Sequence, residues 1–131
     1  MKRDLDSIIL TRQELEIMKV VWERGSAKVG EVCEIISNRK PTAYTTILTL
    51  MGILEEKGVL SHARSGRAYV YRPLLSRQRA TRNQIEDVVT RFFEGRPEKL
   101  VESLLQYSLV DPDQIETAVA LAKSKREEQV A

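Results

Sequence analysis

Apolar residues recur every three or four positions along most of the chain, which is the period of amphipathic helices. The first predicted helix begins at Thr11, because Thr11 and Glu14 have the spacing of a capping box, and Gly25 ends it. Its apolar stripe comprises Leu15, Met18, Val21 and Trp22.

A second, shorter helix is predicted from the stripe of Val29, Val32, Cys33 and Ile36. The segment 38–41 breaks it, and Thr42 is then expected to open a third helix that ends at Gly58. The inward positions of this third helix are Ile47, Leu50, Met51 and Leu54. Its outward positions are Tyr44, Thr45, Leu48 and Thr49.

The pattern then changes to two short segments, 59–64 and 67–72, joined by Ser65-Gly66. Aromatic and β-branched residues in the second segment favour a strand, and Ser-Gly favours a tight turn, so we predict a β-hairpin. Three helices followed by a hairpin are typical of a winged helix-turn-helix, which we assign to residues 1–75.

Helical periodicity returns in residues 76–131 and predicts three further helices. A segment this short has little core of its own, so we expect it to pack against the same segment of a second chain and form a homodimer. The alternative is that these helices fold back onto the N-terminal domain. The predicted dimerisation residues are Ile85, Val88, Val89, Phe92, Leu100, Val101, Leu104, Leu105, Ile115 and Val119. The predicted fold class is therefore mainly α with a small β-hairpin wing, combining a winged helix-turn-helix with a helical dimerisation domain.

Composition excludes several classes of protein. The chain has 131 residues, 42% of them hydrophobic and 31% charged, which is a soluble globular composition rather than a disordered one. No apolar run approaches the ~20 residues that a membrane-spanning helix needs. The first residues, MKRDLDSII, carry acids and lack the long apolar region of a secretory signal. We therefore expect a cytoplasmic protein with no membrane contact of its own.

Candidate catalytic chemistry is sparse. The sequence holds one histidine, His62, and one cysteine, Cys33, in separate predicted elements. Its glycines are isolated, so they form no phosphate-binding loop. Paired carboxylates that could hold a metal are missing from the basic part of the chain. We expect that the protein is not an enzyme and that it uses no metal or cofactor.

The distribution of charge indicates a polyanionic partner. The net charge is only +2, but no acid occurs between Glu56 and Glu86, a stretch that carries seven Lys and Arg residues (Lys57, Arg64, Arg67, Arg72, Arg77, Arg79 and Arg82). In a helix-turn-helix, the second helix of the motif enters the major groove of DNA. The candidate DNA-binding residues are Arg39, Lys40, Thr42, Tyr44, Thr45, Thr46, Leu48, Thr49, Arg64 and Arg67. The alternative is a winged-helix module whose third helix faces a protein instead of DNA.

Three segments resemble the BlaI/MecI family of bacterial transcriptional repressors, the penicillinase-repressor type. They are LTRQELEIMKVVWERG (10–25), AYTTILTLMGILEEKGVL (43–60) and GRAYVYRP (66–73). The resemblance implies a homodimer that binds double-stranded, palindromic operator DNA and represses transcription by occluding it. It also implies a membrane-bound zinc metallopeptidase sensor, or its downstream protease, as a further partner that ends repression by cleavage in the dimerisation region.

Two departures from the family pattern accompany this resemblance. The bond between Ser103 and Leu104 matches the cleaved position, where members that are cut typically have Asn-Phe. The segment Met51-Gly52-Ile53 stands where many members carry a basic residue late in the recognition helix.

Overall fold

The computed structural model describes residues 5–130. After a short 3-10 helix at Leu5–Ser7, the elements are α1 (Arg12–Arg24), α2 (Val29–Ser37), α3 (Tyr44–Glu56), β1 (Leu60–Ser65), β2 (Ala68–Pro73), α4 (Arg77–Phe93), α5 (Pro97–Gln106) and α6 (Pro112–Val130). The predicted fold class, mainly α with a small β-hairpin wing, is thus confirmed. Among these helices, none is long and apolar enough to cross a membrane.

The first unit of the structure is built around α1, α2, α3 and the hairpin, whose apolar faces meet in one core. The predicted inward face of α3 is confirmed, since Ile47, Met51 and Leu54 are buried and Leu50 is half-buried. The fully enclosed apolar side chains at the centre are Ile17, Met18, Val21, Val32, Ile47, Met51, Leu54, Val59, Leu60 and Leu75.

The start of α1 forms the predicted capping box. The Glu14 amide donates to Thr11 Oγ1 at 3.2 Å, and the Thr11 amide donates to Glu14 Oε1 at 2.8 Å. The predicted stripe of α1 was wrong in part, because Leu15 and Trp22 are only half-buried whereas Ile17 is fully buried. Since α1 packs against α2, α3 and β2 together, its buried face is wider than a single stripe.

A buried ion pair joins the start of α1 to the end of α3. Lys57 Nζ lies 2.7 Å from Glu14 Oε2 and 2.9 Å from Oε1, and the Glu14 residue is only 2% exposed. Burial by itself raises the pKa of the Glu14 carboxyl. The hydrogen bonds from Lys57 and from the Thr11 amide outweigh it, however, so the pKa lies below its ordinary value of 4.5. The helix that carries the candidate DNA-binding residues is therefore anchored at its C-terminal end.

The hairpin is antiparallel, with Leu60 opposite Pro73 and Ser65 opposite Ala68. Its two-residue loop is Gly66-Arg67 rather than the predicted Ser65-Gly66, because Ser65 remains paired within the ladder. Gly66 adopts φ = 64°, a conformation that such a tight loop needs and that glycine adopts without strain.

The first half of α4 packs with the N-terminal unit. Ser76 caps it by accepting a hydrogen bond from the Arg79 amide at 3.1 Å. The buried Asn83 side chain donates to the carbonyls of Leu5 at 2.7 Å and Ile8 at 3.0 Å. The first compact unit consequently extends to Asp87, and the second begins within α4.

Candidate nucleic-acid interface

The outward side of α3 does not pack against the core. Tyr44 is 53% exposed, Leu48 is 44% exposed, and Thr45 and Thr49 are exposed between them. We call these four residues the outer face of α3. Hydroxyl groups can donate to or accept from phosphates and base edges, and Leu48 and the threonine methyls can contact a thymine methyl. This face therefore carries the chemistry that base recognition in a major groove requires.

The turn before α3 differs from the expectation that Thr42 opens the helix. The helix begins at Tyr44 with Ala43 as its N-cap, and Ala43 makes no side-chain capping bond. Thr42 Oγ1 instead donates to the Lys40 carbonyl at 2.8 Å, and the Thr42 carbonyl accepts from Ser37 Oγ at 3.1 Å. Thr42 is thus a half-buried residue of the turn between α2 and α3, where two hydrogen bonds hold it.

Two basic residues and a further threonine lie beside the outer face. Arg39 and Lys40 are exposed in the turn, and Thr46 is exposed on the first turns of α3. The Arg39 guanidinium is 3.8 Å from Glu16 Oε2, and the side chains of Arg39 and Glu16 are 76% and 44% exposed. Such a loose, exposed ion pair is weak, so Arg39 can exchange Glu16 for a phosphate.

The wing presents the predicted arginines. Arg67 is exposed in the loop, and Arg64 is exposed at the end of β1. The Arg64 guanidinium carbon lies 5.9 Å from the centre of the Tyr69 ring, within the range of a cation–π contact. The ring of Tyr69 is therefore near enough to attract the Arg64 guanidinium.

Sequence reasoning missed a polar contact between the wing and α3. His62 Nδ1 lies 2.5 Å from Glu55 Oε2 and 2.8 Å from Oε1. The pairing arises because the hairpin folds back against the last turn of α3, an arrangement that neither the helical nor the strand period encodes. In the sequence, His62 stands out only as the single histidine, in a different predicted element from Cys33.

Gly52 lies on the same side of α3 as the outer face, one turn beyond Leu48 and Thr49. A side chain at this position would meet no atom within 4 Å. Glycine in the interior of a helix costs about 1 kcal/mol relative to alanine, and nothing in the structure explains its presence here.

Residues 10–123 match the family described as penicillinase repressor. The chain belongs to the penicillinase repressor family. The penicillinase repressor of Bacillus licheniformis is 29% identical over 102 residues, which are 78% of this chain and 80% of that protein. The family expected from the sequence is confirmed.

Two solved structures resemble part of the chain. The solution structure of the DNA-binding domain of the repressor BlaI is 34% identical with a TM-score of 0.52, covering 60% of this chain and 93% of that one. The solution structure of Bacillus licheniformis BlaI, a monomeric form in complex with the blaP half-operator, is 33% identical with a TM-score of 0.50 and the same coverages.

In this member of the penicillinase repressor family, the second unit leaves much apolar surface uncovered. None of the predicted dimerisation residues is fully buried. Those that are exposed are Ile85, Phe92, Val101, Leu105 and Val119, and those that are half-buried are Val88, Val89, Leu100, Leu104 and Ile115. Ile85 falls in the first compact unit and the others in the second. Across residues 5–130, no group of three or more His, Cys, Asp or Glu side chains could hold a metal ion.

Proposed function

We propose that the protein is a homodimeric transcriptional repressor that occludes a palindromic operator. The observation that supports this most directly is the outer face of α3, which carries hydroxyl and apolar groups in solvent while the opposite face of the same helix is buried. A relative that is 33% identical, Bacillus licheniformis BlaI, has been solved in complex with the blaP half-operator, which supports the same role here. Repression of this kind takes place on cytoplasmic DNA.

Each part of the interface has a distinct task in this proposal. The N-terminal half of α3 enters the major groove, where Thr45, Leu48 and Thr49 meet base edges. Arg39 and Lys40 hold the phosphates beside the groove together with Thr46, and Thr42, whose hydroxyl donates to the Lys40 carbonyl, shapes the turn that carries them. Arg64 and Arg67 on the wing grip the backbone across the adjacent minor groove.

The dimer supplies most of the operator affinity. Two recognition helices separated by about one helical turn of DNA read two half-sites, and each half-site alone binds weakly. The exposed stripe on α4 and α5, extended by Val119 on α6, would be covered by the same stripe of a second chain.

Repression ends, in this proposal, when the dimer is weakened by cleavage after Ser103. A membrane-bound zinc metallopeptidase sensor or its downstream protease would be the partner that cleaves. The Ser103–Leu104 bond lies inside α5, and both residues are half-buried. A protease needs an extended substrate, so α5 must open locally before cleavage can occur.

Two substitutions test the assignment of roles. Arg67→Ala is expected to weaken binding to all duplexes and to flatten the slope of log affinity against log salt by about 0.9. Thr45→Ala is expected to change the preference among operator sequences while leaving the salt slope unchanged. Titration of a duplex selected by the protein from a randomised pool, at two salt concentrations and against a scrambled duplex, measures both effects. If neither variant differs from the parent, α3 does not dock on DNA, and the protein-docking alternative is favoured.

A further inference from the structure

A chain of contacts runs from the end of α3 to the wing. The Glu55 carboxylate, in the last turn of α3, holds His62 Nδ1 at 2.5 Å. The His62 ring packs edge-on against Tyr69, with ring centres 4.7 Å apart, and lies 5.4 Å from the ring of Tyr71. The Arg64 guanidinium lies over the ring of the same Tyr69. His62 therefore connects the helix proposed to read the bases to an arginine proposed to grip the backbone.

The strand register explains why these groups share one surface. Successive side chains of a strand alternate between faces, so His62 and Arg64 point to the same side of β1. Their cross-strand partners, Tyr71 and Tyr69, point to that side as well. This face is buried at Tyr71 and exposed at Tyr69, and so leads from the core towards the wing tip.

His62 is the one imidazole side chain of this cluster. Burial raises the pKa of the Tyr71 phenol above its ordinary value of 10, and the nearby Glu55 carboxylate raises it further, so Tyr71 stays neutral. Imidazole is the side chain that ordinarily titrates between about pH 5 and 8, and the sequence holds a single histidine.

We propose that His62 is a positioning residue for the wing and that its protonation strengthens DNA binding. The proposal rests on the DNA-binding function proposed above. With the ring protonated, His62 neutralises Glu55 and is held by a charge-assisted bond, which fixes the wing relative to α3. With the ring neutral, the Glu55 carboxylate is left as an unbalanced negative charge beside a surface that must meet phosphates, and the wing is held less tightly.

The test is the pH profile of DNA affinity for the parent and for His62→Gln. Glutamine can still hydrogen-bond to Glu55 but cannot take up a proton. At constant salt, the parent is expected to lose affinity about two- to fivefold between about pH 6 and about pH 8, the size expected for an exposed ion pair. The variant should give a flat profile that meets the parent at the higher pH. A flat parent profile, or an equal slope in both proteins, would overturn the proposal.

A double-mutant cycle with Arg64→Ala separates positioning from a merely local charge. If His62 acts through the wing, the losses caused by His62→Gln and Arg64→Ala are coupled at about pH 6, and the coupling shrinks at about pH 8. Additive losses at both pH values would contradict the positioning role. The duplex selected from the randomised pool is the probe. A chain that binds it at no pH overturns the proposed function itself, whereas pH-independent binding overturns only the role of His62.

Discussion

Replacing Leu105 with aspartate is expected to separate the dimer into monomers and to weaken operator binding by about a hundredfold or more. Leu105 lies on the exposed apolar side of α5 together with Val101. In the proposed dimer this side is buried against the second chain. An unpaired carboxylate there would have to lose its hydration without gaining a partner, which is far more costly than leaving it in water.

The matched control is Gln106→Asp, which introduces the same side chain at the neighbouring position of α5. Adjacent helical residues point about 100° apart, so Gln106 lies away from the apolar stripe, and it is exposed. Sedimentation and the operator titration are expected to show a dimer with normal affinity for this control. Helix content should be unchanged in both variants. A Leu105→Asp protein that remains dimeric at low micromolar concentration would show that the stripe is not the interface.

Lys57→Met is expected to lower the free energy of unfolding by about 2–3 kcal/mol. The substitution leaves the buried Glu14 carboxylate without its counter-ion, and breaking a buried pair on one side commonly costs 3–5 kcal/mol. We expect less because the Lys57 side chain is 25% exposed, and water can partly replace it. Denaturant unfolding at neutral pH measures the loss. Lys19→Met is the control: its exposed pair with Glu16, at 3.9 Å, should contribute less than about 0.5 kcal/mol.

The same ion pair gives the parent protein a pH-dependent stability with a defined sign. In the folded protein, the pKa of Glu14 lies below its ordinary 4.5, because the hydrogen bonds outweigh the effect of burial. The pair therefore stabilises the fold fully above about pH 4.5, and this contribution is lost as the pH falls through the lowered pKa. In the Lys57→Met variant, burial still raises the pKa of the Glu14 carboxyl, and no lysine opposes this effect. The difference in stability between parent and variant should accordingly shrink in acid, and a constant difference would contradict the assignment.

Local signals in the sequence were sufficient to predict most of the helices and strands. The capping box at Thr11 was read correctly because a cap depends on residues three apart in the chain. The helix that begins at Pro112 carries the same kind of local signal, since Asp111 and Gln114 exchange two hydrogen bonds at 2.8 Å. The inward face of α3 followed from its period. These features are encoded within one or two turns, so no knowledge of the tertiary structure is needed to find them.

What the sequence left open depends on contacts between residues far apart in the chain. Glu14 was predicted only as part of a helix cap. Its pairing with Lys57 could not be predicted, because the packing of α3 on α1 brings the two side chains together. His62 meets Glu55 only because the hairpin folds back on α3. Asn83 extends the first unit into α4 by bonding the carbonyls of Leu5 and Ile8. The sequence pattern of one helix or strand does not indicate which other element that helix or strand will pack against.

The most direct test of the central claim is the change in amide NMR signals when the labelled protein is titrated with its selected duplex. If α3 and the wing bind DNA, the largest changes will fall on Thr45, Leu48 and Thr49 and on the loop at Arg67, while the exposed middle of α6 stays unaffected. Changes that are confined to α6, or that leave the outer face of α3 untouched at saturation, would contradict the account.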